Sequence, residues 1–90
     1  KPGQLGLALR PLTRDELTKL HVQGGLVVEG VSGSAARAGL VPGDVLLAIN
    51  GIALKSVDQV RGVMDKKPKS VALLVLRDGG RIFVPVELGE

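Results

Sequence analysis

The side chains that could perform chemistry are few in this 90-residue chain. Each of its four serines, at positions 32, 34, 56 and 70, stands at a predicted turn or helix cap, where a hydroxyl serves the backbone. The only histidine, His21, lies at the predicted end of a short helix and is a poor general base for any of them. Gly24-Gly25 and Gly79-Gly80 lack the Lys and Ser/Thr of a phosphate-binding loop. We therefore predict no catalysis by the chain itself, no cofactor and no metal.

Composition excludes further classes of function. Hydrophobic residues make up 44% of the chain, which is enough for the core of one small domain. Aromatic residues make up only 1%, which argues against single-stranded nucleic-acid binding, because bases stack on aromatic side chains. The net charge is +3, and we interpret the cluster Lys66-Lys67-Pro68-Lys69 as a solvated loop rather than an anion-binding patch. No apolar run approaches the roughly 18 residues of a membrane span, so we expect no membrane insertion. Residues 1–3 are interpreted as a linker end, and residues 4–90 as one domain of a longer protein.

The backbone near the start of the chain is a second place where chemistry could reside. Gln4-Leu5-Gly6-Leu7-Ala8-Leu9 predicts a short apolar strand entered through a glycine. In one interpretation Gly6 merely relieves crowding. In the other, successive N–H groups converge as an anion-binding nest beside an open strand edge that another chain can join. The residues alone favour the first interpretation.

The elements that would position this loop follow in order. Thr13 and Glu16 have capping-box spacing, which predicts a helix to about Lys19 or Leu20. A β-branched strand is expected over 26–31, and Ser34 is the predicted N-cap of a short helix closed by Gly39. Pro42-Gly43 predicts a turn before Asp44, whose carboxylate can accept local N–H bonds.

The second half of the chain predicts a strand at 45–49, a turn at Asn50-Gly51, a return strand at 52–54 and a helix from Val57 to Asp65 capped by Ser56. The apolar residues of this helix, namely Val57, Val60, Val63 and Met64, cover about 120° of its circumference, as ordinary core packing requires. Strands at 70–77 and 81–88 form a predicted hairpin, with the nitrogen of Pro85 at an edge or irregularity.

The pattern Ala38-Gly39-Leu40-x-x-Gly43-Asp44-Val45-Leu46-x-x-Ile49-Asn50-Gly51 resembles the central motif of PDZ domains. Together with the flanking stretches 34–40 and 76–80 it is most similar to the PDZ domains of HtrA/Do-type (DegP/DegQ-like) periplasmic serine proteases, over nearly the whole chain. The resemblance implies an α+β fold: a partly open antiparallel β-barrel or sandwich of five to six strands with two to three helices, in the circularly permuted bacterial order. It also implies a periplasmic location.

The resemblance favours the nest interpretation and assigns a peptide groove. Gln4-Leu5-Gly6-Leu7 matches the carboxylate-binding loop of PDZ domains, and the first, fifth and eighth residues of the 57–65 helix would line the groove. The implied partners are C-terminal or unfolded hydrophobic peptide segments that add as a strand to residues 7–9. The predicted peptide-binding residues are Gln4, Leu5, Gly6, Leu7, Ala8, Leu9, Val57, Val60, Arg61 and Met64, with Val60 equally explained as core and Arg61 as an ordinary exposed arginine.

A rival hypothesis is architectural. In HtrA/Do-type proteases with two PDZ domains, the second often supports subunit assembly into cages more than substrate capture. The hairpin Val71-Ala72-Leu73-Leu74 and Arg81-Ile82-Phe83-Val84 resembles that of a second, C-terminal domain. The partners would then be other domains and subunits of the parent protease, within its roles as oligomeric chaperone and quality-control protease.

Overall fold

A computed structural model describes residues 5–88, so Gln4 and the expected linker at residues 1–3 lie outside the described part. Within it, no helix is long and apolar enough to cross a membrane. Residues 5–88 also contain no group of three or more potential metal-ligating side chains. In chain order the elements are β1 (Leu7–Pro11), α1 (Arg14–Leu20), β2 (Leu26–Val31), α2 (Gly33–Arg37), β3 (Val45–Ile49), β4 (Ile52–Ala53), α3 (Val57–Asp65), β5 (Ser70–Arg77) and β6 (Gly80–Glu87).

The strands form one antiparallel sheet in the order β1-β2-β3-β5-β6, and β4 pairs with β3. Six strands and three helices in a sheet that does not close confirm the predicted α+β, partly open PDZ-like architecture. Because β1 and β6 end this order, each keeps one edge without a strand neighbour among residues 5–88. Helix α3 lies next to β1, since Cα atoms of the two elements approach within 8 Å.

The local signals for α1 are confirmed. Thr13 accepts the Glu16 N–H at 3.2 Å, and the Glu16 carboxylate accepts the Thr13 N–H at 2.8 Å. The helix ends at Leu20, and His21 closes it in the left-handed conformation with φ 57°. Because both ends are satisfied by local hydrogen bonds, this short segment could be predicted from sequence.

The predicted N-cap of α2 is wrong by two residues. Ser32, with extended φ −158°, is the N-cap, and Ser34 lies buried inside the helix, where its Oγ accepts a 3.2 Å bond from Arg37. The physical reason is tertiary: the Ser32 N–H donates to the Gly6 carbonyl at 2.8 Å, which holds Ser32 extended at the end of the ladder between β1 and β2. The other end is as predicted, with Gly39 at φ 96° and its N–H bonded to the Ala36 carbonyl.

Two tight turns fix the hairpins. Asn50 and Gly51 have φ values of 51° and 82°, and Asp78 and Gly79 have 51° and 80°. Both pairs therefore place two residues in the left-handed region, as a two-residue type I′ hairpin turn requires. The return strand β4 ends at Ala53, one residue earlier than predicted, and β6 begins at Gly80, one residue earlier than predicted.

The core lies between the inner face of the sheet and the helices. Its fully buried side chains come from every strand except β1 and β4, and α3 contributes Val60 and Met64. Burial of each such side chain stabilises the fold by roughly 1.5 to 3 kcal/mol. Leu5, just before β1, is only 3% exposed and belongs to the same cluster. The start of the chain is therefore anchored by apolar packing before the first strand begins.

The turn at residues 41–44 is tied to the end of β5. As predicted, the Asp44 carboxylate accepts the Val41 N–H, at 3.1 Å. It also accepts two hydrogen bonds from the Arg77 guanidinium at 2.8 and 2.6 Å, which sequence analysis did not anticipate. These bonds from Arg77 hold the pKa of the 2% exposed Asp44 below its ordinary value. The central motif is thereby fixed to a strand 33 residues further along the chain.

Candidate functional site

The loop at residues 5–7 is anchored through its carbonyl groups. The Leu5 carbonyl accepts the Ala35 N–H at 3.0 Å, and the Gly6 carbonyl accepts the Ser32 N–H at 2.8 Å. Both donors belong to the start of α2, where backbone N–H groups have no partner within a helix. Gly6 has φ 82°, and a Cβ there would stand 2.0 Å from the Ser32 carbonyl oxygen. The close approach of loop and helix thus requires glycine at this position.

This anchoring determines where the loop N–H groups point. In a planar trans peptide the carbonyl and the following N–H point in opposite directions. Since the Leu5 and Gly6 carbonyls face Ala35 and Ser32, the N–H groups of Gly6 and Leu7 face away from them. Among the hydrogen bonds between described residues, neither N–H donates to a turn, loop or side-chain acceptor. Two adjacent donors therefore point to the side of the loop opposite α2.

The same geometry continues along β1. Leu7 of β1 lies opposite Val31 of β2. The next residues along, Gly6 and Ser32, are joined by a backbone hydrogen bond. Because hydrogen-bonded and non-hydrogen-bonded residue pairs alternate between antiparallel strands, Leu7 and Val31 form a non-hydrogen-bonded pair. The N–H and carbonyl of Leu7 then point away from β2. The register shifts between Ala8 and Leu9, but the extra residue, Glu29, lies on β2, so alternation along β1 directs the backbone groups of Leu9 the same way. The 3.3 Å bond from Leu12 to Gly25 on the β2 side agrees with this alternation. The free edge of β1 therefore offers backbone donors and acceptors to an added strand.

Helix α3 lies beside β1 and would form the other side of the predicted groove. Its start is fixed by Gln59, whose side chain accepts the Ser56 N–H at 3.0 Å and donates to the Ala53 carbonyl at 2.9 Å. Leu7, Leu9 and Val57 are half-buried and pack on the hydrophobic core. These three side chains give β1 and α3 partly exposed apolar surface.

The remaining predicted peptide-binding residues occupy different environments. Val60 and Met64 are 6% and 8% exposed, so both lie mainly in the core. Ala8 is exposed and, by alternation along β1, lies on the opposite face from Leu7 and Leu9. Arg61 is exposed on α3, 3.6 Å from Asp58. The groove residues as a set stay a prediction.

Three clefts open elsewhere on the described surface, with volumes of about 510, 440 and 170 Å³. None of these three is lined by Leu7, Leu9, Val57 or Met64.

A charged cluster at the end of β1 was missed by sequence analysis. The Arg10 guanidinium donates to both carboxylate oxygens of Glu16 at 2.8 and 2.9 Å, to Glu29 at 3.1 Å and to the Pro11 carbonyl at 3.1 Å. These bonds join β1, α1 and β2. Hydrogen bonds from Arg10, followed by that from the Thr13 backbone, lower the pKa of Glu16 to about 2. Only the capping role of Glu16 had a sequence signal.

Comparison with known proteins agrees with this geometry. The family model of the PDZ domain matches residues 27–77. A probable periplasmic serine endoprotease DegP-like of Hahella chejuensis is 38% identical over 89 residues, covering 96% of this chain and 19% of that protein. A protein of the same description from Ectopseudomonas mendocina is 39% identical over 91 residues, covering 98% of this chain and 19% of that protein. The chain thus spans about a fifth of the length of these curated relatives.

Solved structures give the same result. The HtrA-type protease AlgW with decapeptide matches with a TM-score of 0.77 and 33% identity, over 94% of this chain and 28% of that one. The HtrA3 PDZ domain bound to a phage-derived ligand (FGRWV) has a TM-score of 0.79 at 20% identity, over 92% of this chain and 81% of that one, a likeness of fold alone. A PDZ domain is a non-catalytic module, in agreement with the absence of catalysis predicted for this chain. The anchored loop, the open edge of β1, the adjacent helix and the matching family model together establish that this chain belongs to the PDZ domain family.

Proposed function

We propose that this domain captures C-terminal or extended hydrophobic peptide segments by strand addition to β1, within a periplasmic serine protease. The observation that carries the proposal is the orientation of the Gly6 and Leu7 N–H groups, which face away from the α2 residues that bind the loop carbonyls. Two directed donors beside a free strand edge suit a terminal carboxylate followed by an extended chain. The HtrA-type protease AlgW, solved with a decapeptide and with a tripeptide, supports this function by similarity.

The proposed complex places the terminal carboxylate on the N–H groups of Leu5, Gly6 and Leu7. The last side chain of the peptide rests on Leu7, Leu9 and Val57, and Met64, which is unbranched and adaptable, makes room for different apolar side chains. Burial of one such side chain yields roughly 1.5 to 3 kcal/mol, and ordering the peptide consumes part of the gain. We therefore expect micromolar affinity.

Calorimetric titration of the domain with peptides that end in Val, Leu or Phe tests the proposal. Each peptide is prepared with a free and with an amidated C-terminus. Because hydrogen bonds to a charged group contribute about 1.5 to 3 kcal/mol, amidation should weaken binding roughly 10- to 100-fold. Binding that is weaker than millimolar, or equal for both forms, would contradict capture through the loop.

One observation favours the architectural alternative. Phe83, the only aromatic residue, is 78% exposed on β6. The strand registers place Phe83, Leu74, Ala48 and Ala53 in one row on the outer face of the sheet. Such an apolar row suits a contact with another domain or subunit of the parent protease. Sedimentation of the parent protein with Phe83→Ser, compared with Phe83→Leu, tests this role, and an unchanged assembly size would contradict it.

A further inference from the structure

We infer that Pro11 limits backbone recognition in the groove to the last three residues of a bound chain. The inference rests on the proposed strand addition and adds to it the length of ligand that the domain recognises. Each residue at the free edge of β1 presents its own backbone donor and acceptor, and these groups determine which positions of a bound chain can form hydrogen bonds.

The pairing of an added strand follows from the direction of the backbone groups. With its carboxylate on the loop, a chain antiparallel to β1 places its last residue, position 0, opposite Leu7. Position −2 then faces Leu9 and position −4 faces Pro11. Only these alternate positions exchange hydrogen bonds with β1, because Ala8 and Arg10 direct their backbone groups toward β2.

Pro11 breaks this series in two ways. Proline has no N–H, so the carbonyl at position −4 has no donor opposite it. The Pro11 carbonyl, which would accept the N–H of position −4, already accepts a 3.1 Å bond from the Arg10 guanidinium. Arg10 is itself held by Glu16 at 2.8 and 2.9 Å, so this carbonyl has a fixed competing donor. Beyond Pro11 the strand ends, and Thr13 already caps α1.

The consequence concerns the class of ligand. Only Leu7 and Leu9 can pair with an added strand through both N–H and carbonyl. The loop at residues 5–7 ends this short ladder on one side, and Pro11 ends it on the other. A chain terminus gains the carboxylate contacts as well as this short ladder, whereas an internal segment gains the ladder alone. The groove therefore selects chain termini, and peptide residues upstream of position −3 add little to affinity.

The test uses one peptide sequence ending in a free carboxylate, truncated to four, five, six and eight residues, and titrated into wild type, Pro11→Ala and Pro85→Ala. Pro85 is the matched control, because its nitrogen also faces outward from an edge strand. The Leu88 N–H bonds to the Lys69 carbonyl, and alternation along β6 from this bond makes Pro85 and Ala72 a non-hydrogen-bonded pair. We expect less than a twofold gain beyond four residues for wild type and Pro85→Ala. For Pro11→Ala, the fifth residue should add roughly fivefold, the value of one hydrogen bond.

A second peptide isolates the new bond. An ester that replaces the amide between positions −4 and −3 weakens the carbonyl of position −4 as an acceptor. It should leave wild-type affinity unchanged and reduce that of Pro11→Ala about threefold or more. Affinity that rises steadily with length in wild type, or an equal ester effect in both proteins, would overturn the inference. Amidation of the peptide tests the loop separately. If amidation weakens binding strongly while either of these two outcomes is observed, the inference about Pro11 fails and the proposed function stands.

Discussion

Gly6→Ala tests the physical reason for the orientation of the loop. At φ 82°, an alanine costs about 1 to 2 kcal/mol in backbone strain. Its Cβ would also meet the Ser32 carbonyl oxygen at 2.0 Å, so either the loop or the start of α2 must shift. Such overpacking costs about 1 to 3 kcal/mol, and loss of the Ser32-to-Gly6 bond adds about 1. We expect the free energy of unfolding to fall by about 3 to 6 kcal/mol in total.

Gly51→Ala is the matched control. Gly51 has the same φ of 82°, but a Cβ there meets no other described heavy atom within 4 Å. Only the strain of about 1 to 2 kcal/mol should appear. A 90-residue domain has a total stability of roughly 5 to 14 kcal/mol. Gly51→Ala therefore stays folded throughout this range, and Gly6→Ala stays folded unless the domain lies near its lower end.

Urea unfolding and peptide titration are measured on both variants. Gly6→Ala should be about 2 to 4 kcal/mol less stable than Gly51→Ala, because the strain is common to both variants. It should also bind a free-carboxylate peptide more than tenfold more weakly, because the Leu7 N–H turns with the loop. Gly51→Ala should keep wild-type affinity. Equal stabilities, or full affinity in Gly6→Ala, would refute the argument that contact between Gly6 and Ser32 sets the direction of the loop amides.

Three further predictions concern charged residues. The pKa of Glu16 is lowered from 4.5 to about 2, so its stabilising effect is present above pH 4.5 and is lost as the pH falls toward 2. In urea unfolding, the free energies of Glu16→Gln and wild type should therefore differ less at pH 3 than at pH 7. Asp44→Asn removes the charge that Arg77 binds, so we expect its free energy of unfolding at pH 7 to be about 2 kcal/mol lower than that of wild type. Because the pKa of Asp44 is lowered in the folded state, this difference should narrow below pH 4. The control variant Ser70→Asn should not show it. Arg61 is exposed on α3, and if it lines the groove its charge should favour peptides with an acidic residue upstream of the terminus. Arg61→Glu should then reverse that preference, and an unchanged preference in titrations would contradict a groove role for Arg61.

Local patterns in the sequence predicted most of the fold. The box formed by Thr13 and Glu16, the left-handed positions of the Asn50-Gly51 turn and the apolar stripe of α3 each depend on residues close together in the chain. The error at α2 shows the limit of this reasoning. Ser32 and Ser34 are equally good N-caps by residue type, and the choice was made by a hydrogen bond to Gly6, which lies 26 residues earlier.

The candidate site divides in the same way. The sequence by itself determined that residue 6 is a glycine, that residue 11 lacks an N–H and that the stretch 5–9 is apolar, because these are properties of single residues. Only the tertiary structure decided that the N–H groups of Gly6 and Leu7 face the free edge. Their direction depends on carbonyl partners in α2 and on the register between β1 and β2, and such long-range hydrogen bonds leave no local pattern in the chain.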